Sequence, residues 1–195
     1  MKVLFIGCHC DDIELGCGGT IFKHKNKWDI TCVNLSKSNV SGDLKELRKI
    51  SINSLKYLGV KKIFHYDLMP SKMQQQDVWE ILKNHRADIV FTQYKDEHQD
   101  HEILYKASLR AFKEKTSIIC YQSSPWSCPF FEANYWEKIS KKQLKAKLKA
   151  ISNYYSVYSD KKYISKKSIK SSAAANGIFI KAKNAECFKI IKIIK

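Results

Sequence analysis

Five short apolar runs, at residues 2–6, 29–35, 61–66, 87–92 and 117–121, alternate with longer stretches in which apolar residues recur at helical spacing. Runs of this length are strand-sized, and the stretches between them are long enough to form covering helices. Strands that run parallel need crossover connections, so this alternation implies an α/β three-layer sandwich, with a mostly parallel sheet and helices on both faces. Leu44, Leu47, Leu55 and Leu58 mark a helix that begins within residues 41–44 and stops at Gly59, a residue suited to a helix C-terminus. Val78, Ile81 and Leu82 mark a helix over 76–85, Leu104, Ala107, Ala111 and Phe112 one over 102–113, and Leu144, Leu148 and Ile151 one over 141–154. Residues 7–20 read as a polar, glycine-bearing segment leading into a helix near Ile21. Gly16, Gly18 and Gly19 fit neither a dinucleotide fingerprint nor a P-loop, and are read as close packing at a loop-to-helix junction. Residues 121–136 are crowded with aromatics, which either line a sugar pocket or pack as ordinary core.

The 195 residues, 44% hydrophobic, suffice for one substantial core, and no linker or repeat divides them, so a single domain over 1–195 is expected. No apolar run approaches the roughly 18 residues of a membrane span, and the opening run is too short for an export signal; a cytoplasmic protein is expected. The seven cysteines are odd in number and irregularly spaced, which favours free thiols over a disulfide framework. The net charge of +16 comes almost wholly from lysine, since only Arg48, Arg86 and Arg110 are arginines. Base-reading surfaces lean on arginine, so no nucleic-acid partner is expected. A solvated lysine surface is the plain account of the charge, and attraction of an anionic substrate is the functional one.

Ligand sites in parallel sheets form beyond the carboxyl ends of the strands. Two polar clusters lie there: one after residue 6, with His9, Asp11 and Asp12, and one after residue 92, with His98 and His101. Two histidines and one carboxylate are a common ligand set for a catalytic zinc with an open position. On that reading one histidine of the second cluster is a ligand and the other is free to act on substrate. Asp11, beside a ligand, is placed to take a proton from an activated water.

These clusters carry a resemblance. Cys8-His9-Cys10-Asp11-Asp12-Ile13-Glu14-Leu15-Gly16-Cys17-Gly18-Gly19-Thr20 resembles the A-H-P-D-D-E-x-L-G-C-G-G-T signature of the PIG-L/LmbE-like N-deacetylases, and Asp96-Glu97-His98-Gln99-Asp100-His101 resembles that family's D-x-H-x-D-H motif. Leu47-Arg48 through Leu58-Gly59, and Asn184-Ala185-Glu186-Cys187-Phe188, resemble further family segments. The resemblance implies a Rossmann-like fold and a divalent metal, usually Zn2+, with Fe2+ or Mn2+ as alternatives. It implies His9, Asp12 and His101 as metal ligands, Asp11 as general base, His98 as oxyanion stabiliser or proton donor, and Arg48 near the substrate. The expected reaction removes an acetyl group from the nitrogen of an amino sugar, free or phosphate-linked, and a homo-oligomer is compatible with it. Hydrolysis of a thiol-conjugate or other non-sugar amide is the alternative, and a basic nucleic-acid-binding module with a degenerate metal site the third reading. Cys10 and Ile13 depart from the signature, where it has proline and glutamate.

Overall fold

The computed structural model describes residues 1–36, 44–124, 128–158 and 160–194. In chain order the elements are β1 (Lys2–Gly7), α1 (Asp12–His24), β2 (Asp29–Ser36), α2 (Leu44–Leu58), β3 (Lys62–Leu68), α3 (Gln75–Leu82), β4 (Ile89–Gln93) and α4 (Gln99–Ala111). Then follow β5 (Ser117–Tyr121), β6 (Tyr135–Lys138), α5 (Lys141–Ser152), α6 (Lys166–Ile178) and β7 (Ala185–Lys192). The seven strands form one sheet in the order β3-β2-β1-β4-β5-β7-β6. The first five strands in that order run parallel, and β7 and β6 join antiparallel. The α/β sandwich expected from the alternation is the architecture observed.

β1 shows why both faces must be covered. Val3 and Phe5 enter one core with Ile13, Cys17 and Leu55, while Leu4 and Ile6 enter another with Val78, Leu82 and Leu104. Successive side chains of a strand point to opposite faces, so a continuous apolar run needs helices on both. Phe5 stacks on Phe91 of β4 with ring centroids 4.6 Å apart, joining neighbours that lie far apart in sequence. Among the described residues no helix is long and apolar enough to cross a membrane. The seven cysteines are all free thiols, six of them buried.

Several boundaries differ from the sequence reading. α1 begins at Asp12, so its glycines lie inside the helix rather than before it. Three glycines weaken intrinsic helicity, but they let α1 press against Tyr121, Lys147 and Glu186, and packing overrides propensity. α4 begins at Gln99 rather than at residue 102, because the His98 ring accepts the Asp100 N–H and caps it. The helix start read at residues 41–43 lies outside the described residues, as do residues 125–127 of the aromatic segment. Within that segment Tyr121 is fully buried, and Tyr135 and Trp136 sit on the edge strand β6. Gly59 ends α2 as expected: it adopts φ 99°, its N–H reaches Lys56 O at 2.9 Å, and Val60 N–H reaches Leu55 O at 3.0 Å. This is a Schellman closure, which uses the left-handed conformation that glycine tolerates best.

Candidate metal centre and active site

From β1 the chain winds outward through β2 to β3, then returns to place β4 on the other side of β1. The ends of β1 and β4 therefore flank the switch point, where open α/β sheets form their crevice. His9, Asp11 and Asp12 follow β1; His98 and His101 follow β4. The structure brings the two clusters together. His9 Nδ1 lies 3.4 Å from His101 Nε2 and 3.4 Å from Asp12 Oδ2, and His101 Nε2 lies 3.8 Å from Asp12 Oδ2. Ligands about 2.0–2.1 Å from a tetrahedral ion are separated by about 3.3 Å, so this triangle fits a small divalent cation with little adjustment.

The other nitrogen of each histidine has a carboxylate behind it. His101 Nδ1 is 2.7 Å from Asp96 Oδ2, and His9 Nε2 is 3.4 Å from Asp100 Oδ2. Such partners fix ring orientation and raise the basicity of the ligating nitrogen. Asp100 is held in turn by the Ser71 N–H, at 3.0 and 3.1 Å to its two oxygens. Asp96 and Asp100 belong to the second motif, yet reading it for ligands alone left them without a role; only their positions behind the two rings disclose one.

The two adjacent aspartates are driven apart in acidity. For Asp12, burial favours the neutral acid, but His101, His9 and the His9 N–H outweigh it and hold the carboxyl well below the usual range. For Asp11, burial and the charge of Asp12 push the carboxyl well above that range, against Lys161 and His9. Asp11 is 5% exposed, and its carboxylate makes no hydrogen bond among the described residues. Its backbone has φ 153°, a strained value for a non-glycine residue, at the N-cap of α1. Burial works against a charged His9, but hydrogen bonds that the ring donates to Asp100 and Asp12 prevail and push it up to about 10.

His98 lies beside the triad, its ring 4.9 Å from His9 and 4.7 Å from His101 between centroids. Its Nδ1 accepts the Asp100 N–H at 3.3 Å, which leaves Nε2 to carry the proton of the neutral ring. Burial, then the charges of His101 and His9, lower its affinity for a second proton. A second cluster, Cys8, His9 and Asp100, is also close enough to hold an ion. It shares His9 with the first, and burial and three aspartates push the Cys8 thiol well above its ordinary range. Cys10 turns elsewhere: its Sγ lies 3.8 Å from His65 Nδ1, and burial pushes its thiol up to about 12. Arg48 forms an ion pair with Asp67 at the end of β3. Among the described residues its link to the loop after β1 is its field on His65, which touches Cys10.

An α/β sheet with a His–Asp–His triad and a spare carboxylate at its switch point defines a class, that of Rossmann-like proteins with a candidate hydrolytic centre between two strand ends. The family description GlcNAc-PI de-N-acetylase, PIG-L, matches residues 4–112. The protein described as the uncharacterized deacetylase YaiS of Escherichia coli (strain K12) is 30% identical over 169 residues, covering 79% of this chain and 90% of that protein. The chain belongs to the PIG-L de-N-acetylase family. Among solved structures, N,N'-diacetylchitobiose deacetylase from Pyrococcus horikoshii matches with a TM-score of 0.81 at 22% identity, over 97% of this chain and 83% of that one. GalB, the 4-carboxy-2-hydroxymuconate hydratase from Pseudomonas putida KT2440, matches with a TM-score of 0.80 at 13% identity, over all of this chain and 97% of that one. The fold thus serves more than one reaction, and the chemistry must be argued from side chains.

Proposed function

We propose that this protein is a metal-dependent hydrolase that removes the N-acetyl group from an amino sugar or its conjugate and releases acetate. One observation carries the reading: three ligand atoms spaced for a divalent ion stand next to an unpaired, buried carboxylate of raised pKa. His9, Asp12 and His101 would hold the ion, and the donor set of two imidazoles and a carboxylate suits zinc, iron or manganese. When bound, such an ion polarises an acetamide carbonyl and acidifies a water.

The chain's own residues do the rest. Asp11, with no hydrogen-bond partner among the described residues to give up, accepts the proton of the attacking water. His98 donates an Nε2–H hydrogen bond to the developing oxyanion, and Asp11 returns the proton it took from water to the departing nitrogen. Asp96 and Asp100 keep the two ligating rings aimed at the centre. Arg48 of α2, paired with Asp67 near the end of β3, would orient substrate from the rim.

The test is acetate release from N-acetylated sugars, free and phosphate- or nucleotide-linked, alongside N-acyl thiol conjugates, with and without chelator. Asp11→Asn should keep its metal content and lose about 100-fold or more in kcat. His101→Ala should lose both metal and turnover. Near-normal metal content in purified, folded His101→Ala would refute the ligand assignment, and chelator-resistant turnover would refute the metal requirement.

A further inference from the structure

The opposite end of the sheet carries a recess that nothing in the catalytic assignment uses. It lies at the amino ends of β1, β4 and β5, lined by Lys2, by residues 85–88 leading into β4 and by residues 110–116 leading into β5. Trp79 and Lys83, at the carboxyl end of α3, complete the wall. Its volume is about 410 Å³, within the range of small-ligand pockets. A smaller cavity of about 160 Å³ adjoins it through Lys2, His85, Arg86 and Ala87. β4 is five residues long, so about 16 Å of strand separates this recess from the loop that carries His98 and His101.

A fixed frame surrounds the recess. Lys2 N–H donates to Asp88 Oδ2 at 2.8 Å, Ser117 N–H to Asp88 O at 3.0 Å and Thr116 Oγ1 to Ala87 O at 3.0 Å. These bonds pin the three strand starts to one another. Arg110 lies over the Trp79 ring, 4.2 Å from its centroid, and donates to Gln76 Oε1 at 2.8 Å.

The lining is strongly basic. Lys2, Lys83, Arg86, Arg110, Lys113 and Lys115 face two carboxylates, Asp88 and Glu114, and Asp88 is already engaged by the Lys2 N–H. Cations often gather at the carboxyl ends of helices to meet unpaired carbonyls, but here that need is met otherwise. Lys192 Nζ donates to Phe112 O at 2.8 Å and also to Lys113 O, and the Lys83 N–H closes α3 onto Trp79 O at 2.9 Å. Among the described residues the side chains of Lys2, Arg86, Lys113 and Lys115 make no hydrogen bond or ion pair. Nor does a solvated lysine surface account for the arginines: the chain has three, and both Arg86 and Arg110 sit here. Guanidinium groups pair with phosphate through two parallel hydrogen bonds, and uncommitted cations around a concave site favour a multiply charged anion.

We infer that this recess is a second ligand site, taking a small molecule that bears a di- or triphosphate group, with Arg86 and the three uncommitted lysines as its phosphate contacts. The site stands independently of the deacetylase reading. The probes are inorganic pyrophosphate and ADP, titrated into the isotope-labelled protein, with backbone amide shifts reporting both place and affinity. Saturable shifts at residues 85–88 and 113–116 are expected with both. Arg86→Ser should raise both dissociation constants about tenfold or more, through loss of a charge-assisted pair. Lys170→Ser, which removes an exposed charge on α6, should leave them unchanged.

Tighter binding of ADP than of pyrophosphate would identify a nucleotide as the source of the phosphates, and equal binding would assign recognition to the phosphates alone. Equal weakening in the two variants would mean diffuse attraction of anions by a lysine-rich surface, and would overturn the site. So would shifts confined to the loops after β1 and β4, or the absence of saturation at millimolar ligand. Tighter binding of a short oligothymidylate than of ADP, at the same amides, would overturn the small-molecule occupant in favour of single-stranded nucleic acid.

Discussion

Asp11 combines three costs at one position: a buried carboxylate with no hydrogen bond among the described residues, a like charge next door, and a backbone at φ 153°. A residue serving stability alone would carry none of the three, and their combination suits the role of base proposed for Asp11. At the same scale, His65 reports on Arg48. Burial and the Arg48 guanidinium lower the His65 ring to about 4, against a pull upward from Asp67. A histidine depressed in this way is neutral in the folded protein, so its contribution to stability is complete above about pH 6.5 and declines as the pH falls through about 4. Arg48→Ala removes one depressing charge and leaves Asp67, so NMR titration of the His65 ring should show its pKa rising from about 4 toward 6.5. An unchanged value would mean that burial alone sets it and that Arg48 exerts no field this close to the catalytic loop.

At the scale of elements, α1 is the part on which most depends. Its N-terminus delivers Asp11 and Asp12, its middle packs through Gly16 onto the ring of Tyr121, and its glycine turn donates to Glu186. A methyl group at Gly16 would overlap the Tyr121 ring, which cannot swing away because its hydroxyl is bound to Ile6 O at 2.8 Å. Gly16→Ala should therefore cost about 1–3 kcal/mol in urea unfolding and lower kcat as well, because the helix must move and take its aspartates with it. Unchanged kcat beside reduced stability would show that the helix end does not follow the middle.

The elements that were legible beforehand are those with strong periodicity: the five parallel strands, the Leu44–Leu58 helix and its Gly59 stop. α6 was not legible, because its lysines, serines and alanines carry no apolar stripe and it is held by Ile169, Ala173 and Gly177 alone. β7 is a half-buried strand without a clean alternation of apolar and polar residues, and its antiparallel partner β6 is four residues long, too short to announce a pair. The residues of the candidate site were legible in two motifs, but their convergence and the carboxylates behind them were not, since those depend on which strands become neighbours.

For the whole molecule, the proposed ligands straddle the seam between β1 and β4, which carries register pairs from Val3–Ile89 to Phe5–Phe91. Binding to the folded state alone stabilises it by about 2.7 kcal/mol at an ion concentration 100 times the dissociation constant. The His9 proton, held up to about 10, must leave before an ion can bind, so the rise in Tm on adding metal should grow from about pH 6 to about pH 8. A rise that shrinks over that interval would exclude His9 from the ligand set.

The winding reverses at this seam, and so the ion would act as a rivet. Three strands hang from one side of it and four from the other, joined along that line by backbone bonds and a stacked pair of phenyl rings. Loading the centre should accordingly slow amide exchange along the whole length of β1 and β4, well away from the loops that grip it. Catalysis and cohesion would then be lost in the same event, with an idle enzyme also being a loosened one.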